Sequence, residues 1–123
     1  MHAVLLLSLS LASAPSAIVP VQAASAFDGT WSGTGTLTQR RGRGTGCGPE
    51  TTDRRFTIAG GQITFPYDNR YGISFDGPIQ TNGSFDIASG PNRFQGQASG
   101  SDMTATFTGR DCVRSFQFRR RRG

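Results

Sequence analysis

The chain has 123 residues and a net charge of +5, with 13 basic side chains against eight acidic ones, two cysteines and one histidine. That length sets a single domain as the prior, and an excess of positive charge favours loose attraction to polyanions without naming one. Every basic residue is arginine, and His2 falls in a segment expected to be removed, so His- or Cys-built metal and haem sites and Ser–His or Cys–His catalysis lack their parts.

The N-terminal stretch "HAVLLLSLSLASA" is an apolar run of leader length, too short to span a membrane. Small residues follow it, and cleavage after Ala23 or after Ala26 fits, which predicts a signal peptide over 1–26. No Lys or Arg precedes the run, so either its n-region is weak or the true start codon lies upstream, and no cysteine follows it to carry a lipid anchor. Export to the periplasm or the extracellular space is the expectation. In that oxidising setting Cys47 and Cys112 read as one disulfide. Closing so long a loop is worth roughly 4 kcal/mol on the chain-entropy account.

From Phe27 onward, short alternating runs are broken by Gly, Asn, Asp and Pro, and no stretch keeps a 3.6-residue period. Strands are expected at 30–39, 52–59 and 62–66, then at 71–81 as one strand bent at Gly77-Pro78. Four more follow at 84–88, 93–99, 103–109 and 112–119. At Asn82-Gly83 a two-residue loop would set Ile79 opposite Asp86. A three-residue loop, Thr81-Asn82-Gly83, pairs Ile79 with Phe85 and puts Gly83 in a left-handed bulge position, so the hydrophobic face selects it.

Eight hairpin-linked strands predict an all-β, antiparallel up-and-down meander closed into a small barrel, with a β-sandwich as the alternative. In a closed barrel the loop after the first strand and the start of the last lie side by side at one end. Cys47 and Cys112 occupy those two places, which favours the barrel. The barrel domain is placed at 27–119, followed by an Arg-rich tail at 120–123.

"RRGRGTGCGPE" (40–50) is then a hairpin loop stapled at Cys47, presenting Arg40, Arg41 and Arg43 as candidate anion contacts near one mouth. It is no phosphate cradle, because a P-loop needs a Lys and the glycines at 42, 44, 46 and 48 do not fit G-x-G-x-x-G. The leader disfavours nucleic acid as a partner. Glu50, seven Asp and two Tyr are what remains for acid–base work, mostly in turn-like contexts. No catalytic residue, metal or cofactor is expected. Most strands are also too short, and too polar on their second face, for an outer-membrane barrel.

"FDGTWSGTG" resembles the opening of the calycin superfamily, the lipocalin- and avidin-type barrels, whose first strand begins with Gly-x-Trp, here Gly29-Thr30-Trp31. The resemblance implies a closed end built from Gly29, Trp31 and an arginine late in the last strand, with Arg119 or its neighbour Arg120 over the indole. A biotin site would need several Trp, and Trp31 is alone, so an avidin function is not implied. The chain is also similar to small exported proteobacterial proteins that open with F-D-G-T-W and share the two cysteine positions and the Arg-rich end. That similarity brings no activity with it.

The expected inward set runs Trp31, Leu37, Phe56, Ile58, Ile63, Phe65, Ile73, Phe75, Ile79, Phe85, Ile87, Phe94, Met103, Phe107, Phe116 and Phe118. Those side chains would fill a small barrel. Gly33 and Gly35 share their faces, so a pocket lined by Gly33, Gly35, Leu37, Phe56, Phe75, Phe94 and Phe107 is the competing expectation. The function expected is an exported, non-catalytic, monomeric binding module for an apolar ligand or an envelope macromolecule, gripped at the Cys47 end. The alternative is an inhibitor or interaction protein of the envelope, with a filled core and basic loops on an anionic partner.

Overall fold

Apolar side chains at every second position, separated by Gly60-Gly61, Asn82-Gly83, Gly90-Pro91 and Gly100-Ser101, drive this chain into short strands joined by tight turns. The computed structural model describes residues 25–41 and 47–121. The expected leader, apart from Ser25 and Ala26, lies outside the described residues, as do Arg43 and Arg122. After a 3-10 turn at Ser25–Phe27 come β1 (Gly29–Arg40), β2 (Thr51–Ala59), β3 (Gln62–Asp68) and β4 (Ile73–Pro78). Then follow β5 (Ser84–Ser89), β6 (Asn92–Ser99), β7 (Asp102–Thr108) and β8 (Cys112–Arg121).

The strands form one antiparallel eight-stranded sheet in the order β4-β3-β2-β1-β8-β7-β6-β5. Two four-strand meanders are thus joined by their first and last strands, along a ladder from Thr30↔Arg121 to Arg40↔Cys112. The sheet curls into a nearly closed barrel, as the alternation and the cysteine placement predict. Its seam runs between β4 and β5, where Gly77 leaves room for the side chain of Ile87. β8 continues through Arg120 and Arg121, so these belong to the sheet and not to a tail.

The hairpin across the seam is the three-residue loop that the hydrophobic face selects. Gly83 N–H donates to the Gln80 carbonyl at 2.9 Å and Gln80 N–H to the Ser84 carbonyl at 2.8 Å. Gly83 takes a φ of 88°, and a Cβ there would stand 2.2 Å from the Ala98 carbonyl oxygen, so only glycine fits.

Inside, Trp31, Phe65, Phe75, Phe94, Phe116 and Phe118 are almost wholly buried. Their rings interlock: Phe56 stacks on Phe65 with centroids 4.9 Å apart, meets Phe118 edge-on at 4.9 Å, and Phe116 stacks on Phe118 at 5.1 Å. Such pairs add about 0.5–1.5 kcal/mol each to their burial. Gly33 and Gly35 leave no void in this core. A Cβ on Gly35 would meet the Phe116 ring at 2.3 Å, and one on Gly33 the Gln117 carbonyl oxygen at 1.9 Å. The glycines let β1 and β8 curve tightly and let rings lie across the backbone. The pocket expected around Gly33 and Gly35 is closed by these contacts, and Phe56, Phe75 and Phe94 belong to the packed core, with Leu37 half-buried outside it.

At one end, Trp31 Nε1–H donates to the Phe27 carbonyl at 2.9 Å, and the Arg120 guanidinium lies 5.5 Å from the centre of the Trp31 ring system. Arg120 also donates to the carbonyls of Ala26, Asp28 and Gly100. Of the two arginines expected to compete for this position, Arg120 takes it, while Arg119 points outward and pairs with Asp102 at 3.2 Å. Parity decides between them. With Phe116 and Phe118 facing in, residue 120 faces in and residue 119 out. The Asp28 carboxylate accepts from the Gly60 and Gly61 N–H groups at 2.8 and 3.0 Å, tying the β2–β3 turn to this end.

Candidate functional site: an arginine-lined cleft beside the disulfide

The opposite end stays open because two strands part company. The β2–β3 ladder stops at Thr57↔Thr64, and β3 then carries Pro66, which has no N–H to offer. Continued past the last ladder bond, the same register sets Phe56 opposite Phe65 and Arg54 opposite Tyr67. The Arg54 guanidinium duly lies 5.1 Å from the centre of the Tyr67 ring, which stacks on Phe107 at 4.3 Å. Side-chain stacking replaces backbone pairing, and the gap becomes a cleft of about 690 Å3.

All four connections at this end contribute to the cleft wall: Cys47–Pro49, Asp68–Ile73, Pro91-Asn92 and Gly109–Cys112. Arg54, Arg70, Arg110 and Arg114 line it, with Asp68 and Asp111 as the acids. Tyr71 sits at the rim 67% exposed, the large hydrophobic side chain left open to solvent among the described residues. The Arg70 guanidinium lies 5.8 Å from its ring centre.

The floor is held by Arg114, which is 3% exposed. Its Nη1 donates to the carbonyls of Gly35 and Glu50 at 3.0 and 3.2 Å. Its Nη2 donates to those of Cys47 and Pro49 at 3.0 and 2.7 Å. One planar fork therefore ties three carbonyls of the β1–β2 connection, those of Cys47, Pro49 and Glu50, to the Gly35 carbonyl of β1. The Cys47–Cys112 disulfide, with Cα atoms 5.6 Å apart, fixes the same loop covalently, as the sequence predicts. None of Arg114's four acceptors is a carboxylate, so its full charge stays at the base of the cleft.

Arg54 is satisfied on one side only. Its Nη1 donates to Thr52 Oγ1 at 2.7 Å and to the Asp53 carbonyl at 3.2 Å, while its Nε is buried with no acceptor. Burial pushes the Tyr67 phenol above its ordinary value, against the opposing pull of the Arg114 and Arg54 charges, so it remains protonated at neutral pH. Asp68 is committed to its own turn, accepting from the Arg70 backbone N–H at 3.0 Å.

Of the pocket residues named from sequence, Phe107 alone lines the cleft. Of the anion-contact trio, Arg40 pairs with Cys112 and the Arg41 N–H donates to the Asp111 carbonyl at 2.7 Å. Both lie at this end, yet outside the cleft lining. Arg43 lies outside the described residues. The sequence reading missed Arg54, Tyr67 and Arg114, although alternation carried the signal. Each stands two residues from an inward Phe: Phe56, Phe65 and Phe116.

Among the described residues, no helix is long and apolar enough to cross a membrane. No protein-family model, curated protein or solved structure matches this chain.

Proposed function

We propose that this chain is an exported, non-catalytic binding module of calycin-like build that takes its ligand in the cleft beside the disulfide, not in the barrel interior. The observation that carries this reading is the contrast between the two ends. The centre is packed with aromatic rings, while four connections converge on a concavity of about 690 Å3, within the range of small-molecule sites. The polar groups at its floor are anchored: a guanidinium on a ring, a second on four carbonyls, a protonated phenol. Such groups orient a ligand.

Native mass spectrometry of the protein, secreted into a bacterial periplasm and kept oxidised, tests this. A mass set by cleavage after Ala23 or Ala26, plus a non-covalent adduct lost on collisional activation, supports the reading. A ligand-free species that also ignores a small-molecule library turns the weight to the second reading, an interaction protein with a filled core. That reading is favoured by the Arg40-Arg41 edge beside the cleft, a basic rim suited to an anionic partner.

A further inference from the structure

We propose that the cleft is specific for a small aromatic carboxylate, its carboxylate on the unpaired Nη2 of Arg54 and its ring against Tyr71. This deepens the binding-module reading and rests on it.

Charge comes first. Four arginines and two aspartates line the cleft, a difference of +2, and Asp68 is already engaged by its own turn. A cationic guest would meet an excess of like charge, and a neutral one would leave that excess unused.

Geometry comes second. Arg54 lies over Tyr67, and its only hydrogen bonds among the described residues leave from Nη1. Nε is unpaired but is enclosed by protein, which leaves Nη2 as the donor a guest can reach. A carboxylate oxygen placed there makes a charge-assisted hydrogen bond, stronger than the one a neutral hydroxyl would make. Arg114 cannot serve in this way, because its terminal nitrogens are spent on four carbonyls.

Shape comes third. The apolar wall is aromatic or flat: Tyr67 stacked on Phe107, with Ile73 and Pro91 beside them. Tyr71 completes it at the rim, its ring exposed and paired with Arg70, a setting that stacks a planar guest. A ring bearing one carboxylate joins the two halves of the site.

The test is a two-dimensional amide NMR titration of the oxidised protein with 2-naphthoate and, separately, with its uncharged analogue 2-naphthol. The expected result is 2-naphthoate binding at least about tenfold tighter, the size of one charge-assisted hydrogen bond, with shifts at Tyr71, Ile73, Phe107 and Gly109. Arg54→Gln should remove that preference while leaving 2-naphthol binding intact. Should Arg54→Gln lose its folded spectrum, Tyr71→Ala, at an exposed site, must weaken both ligands about tenfold, and added salt must weaken 2-naphthoate alone. Equal binding of the two ligands overturns the carboxylate assignment but leaves the cleft as a binding site. Tight 2-naphthoate binding with unmoved cleft signals overturns the site. If neither ligand shifts a cleft residue, this inference fails, and the binding-module reading then stands or falls with the small-molecule library.

Discussion

Replacing Arg114 by Met asks how much of this fold hangs on one side chain. Two of its bonds, to the carbonyls of Gly35 and Cys47, are buried, and those to Pro49 and Glu50 are partly buried. The Cys47 carbonyl, stranded without a donor, costs about 1–3 kcal/mol, whereas the Gly35 carbonyl, opposite Thr52 in the β1–β2 ladder, loses only a second donor. The partly buried pair regains water at small cost, and removing a buried charge returns some desolvation energy. The net expectation is a loss of about 2 kcal/mol, a large share of what a domain this size holds. In a thermal melt that corresponds to a drop of about 8–16 °C at 4–8 °C per kcal/mol. Guanidinium titrations of oxidised wild type, Arg114→Met and Arg114→Lys measure it, with unchanged m-values certifying a common unfolded state. Lysine keeps the charge but presents its donors from one atom, which cannot span four carbonyls, so it should fall between the other two. An Arg114→Met protein within about 0.5 kcal/mol of wild type would refute the reasoning, since that is the scale of an indifferent surface change.

Three further outcomes follow from the same structure. Cys47→Ser/Cys112→Ser should lose roughly 4 kcal/mol, and the wild type should fall to the same midpoint in reductant; a gap between the two would mean that the serines themselves perturb the loop. Gly35→Ala should cost about 1–3 kcal/mol, because its methyl must displace the Phe116 ring from 2.3 Å; a neutral substitution, read by urea melts, would show that the core yields there. The Tyr67 phenol has its affinity for the proton raised by folding, so its contribution to stability is complete below its ordinary value of 10.0 and declines as pH climbs through the higher folded value. Urea melts at stepped alkaline pH should therefore show a steeper decline for wild type than for Tyr67→Phe, and superimposable profiles would remove Tyr67 from the account.

The parts of this molecule legible in its sequence are those governed by period and by turn chemistry. Alternation placed the strands, the facing of Ile79 and Phe85 chose the Asn82-Gly83 loop, and cysteine spacing anticipated the β1–β8 junction. What escaped was decided by groups distant in sequence. Arg54 and Arg114 occupy inward positions by parity, yet a charged side chain reads as outward until its partners are known. Those partners are the Tyr67 ring and carbonyls 64 to 79 residues away. Gly33 and Gly35 posed the converse problem. A missing side chain reads as space, and whether a neighbour's ring occupies it depends on register across β1–β8. Arg119 and Arg120 differ by one step of alternation, and counting from Phe118 separates them.

The junction of β1 with β8 also sets a timetable. The most distant parts of the chain meet in the middle of the sheet, whereas its two outer strands are sequence neighbours. β1 to β4 can associate as soon as they exist, but they then present the bare flank of β1, with its glycines, until the final strand arrives. The central ladder and the 65-residue cysteine crosslink must both wait for the C-terminal residues, so loop-closure entropy is met late and in one step. Acquisition of structure should accordingly be slow and cooperative, and a chain halted before Cys112 should remain a half-sheet with an adhesive edge.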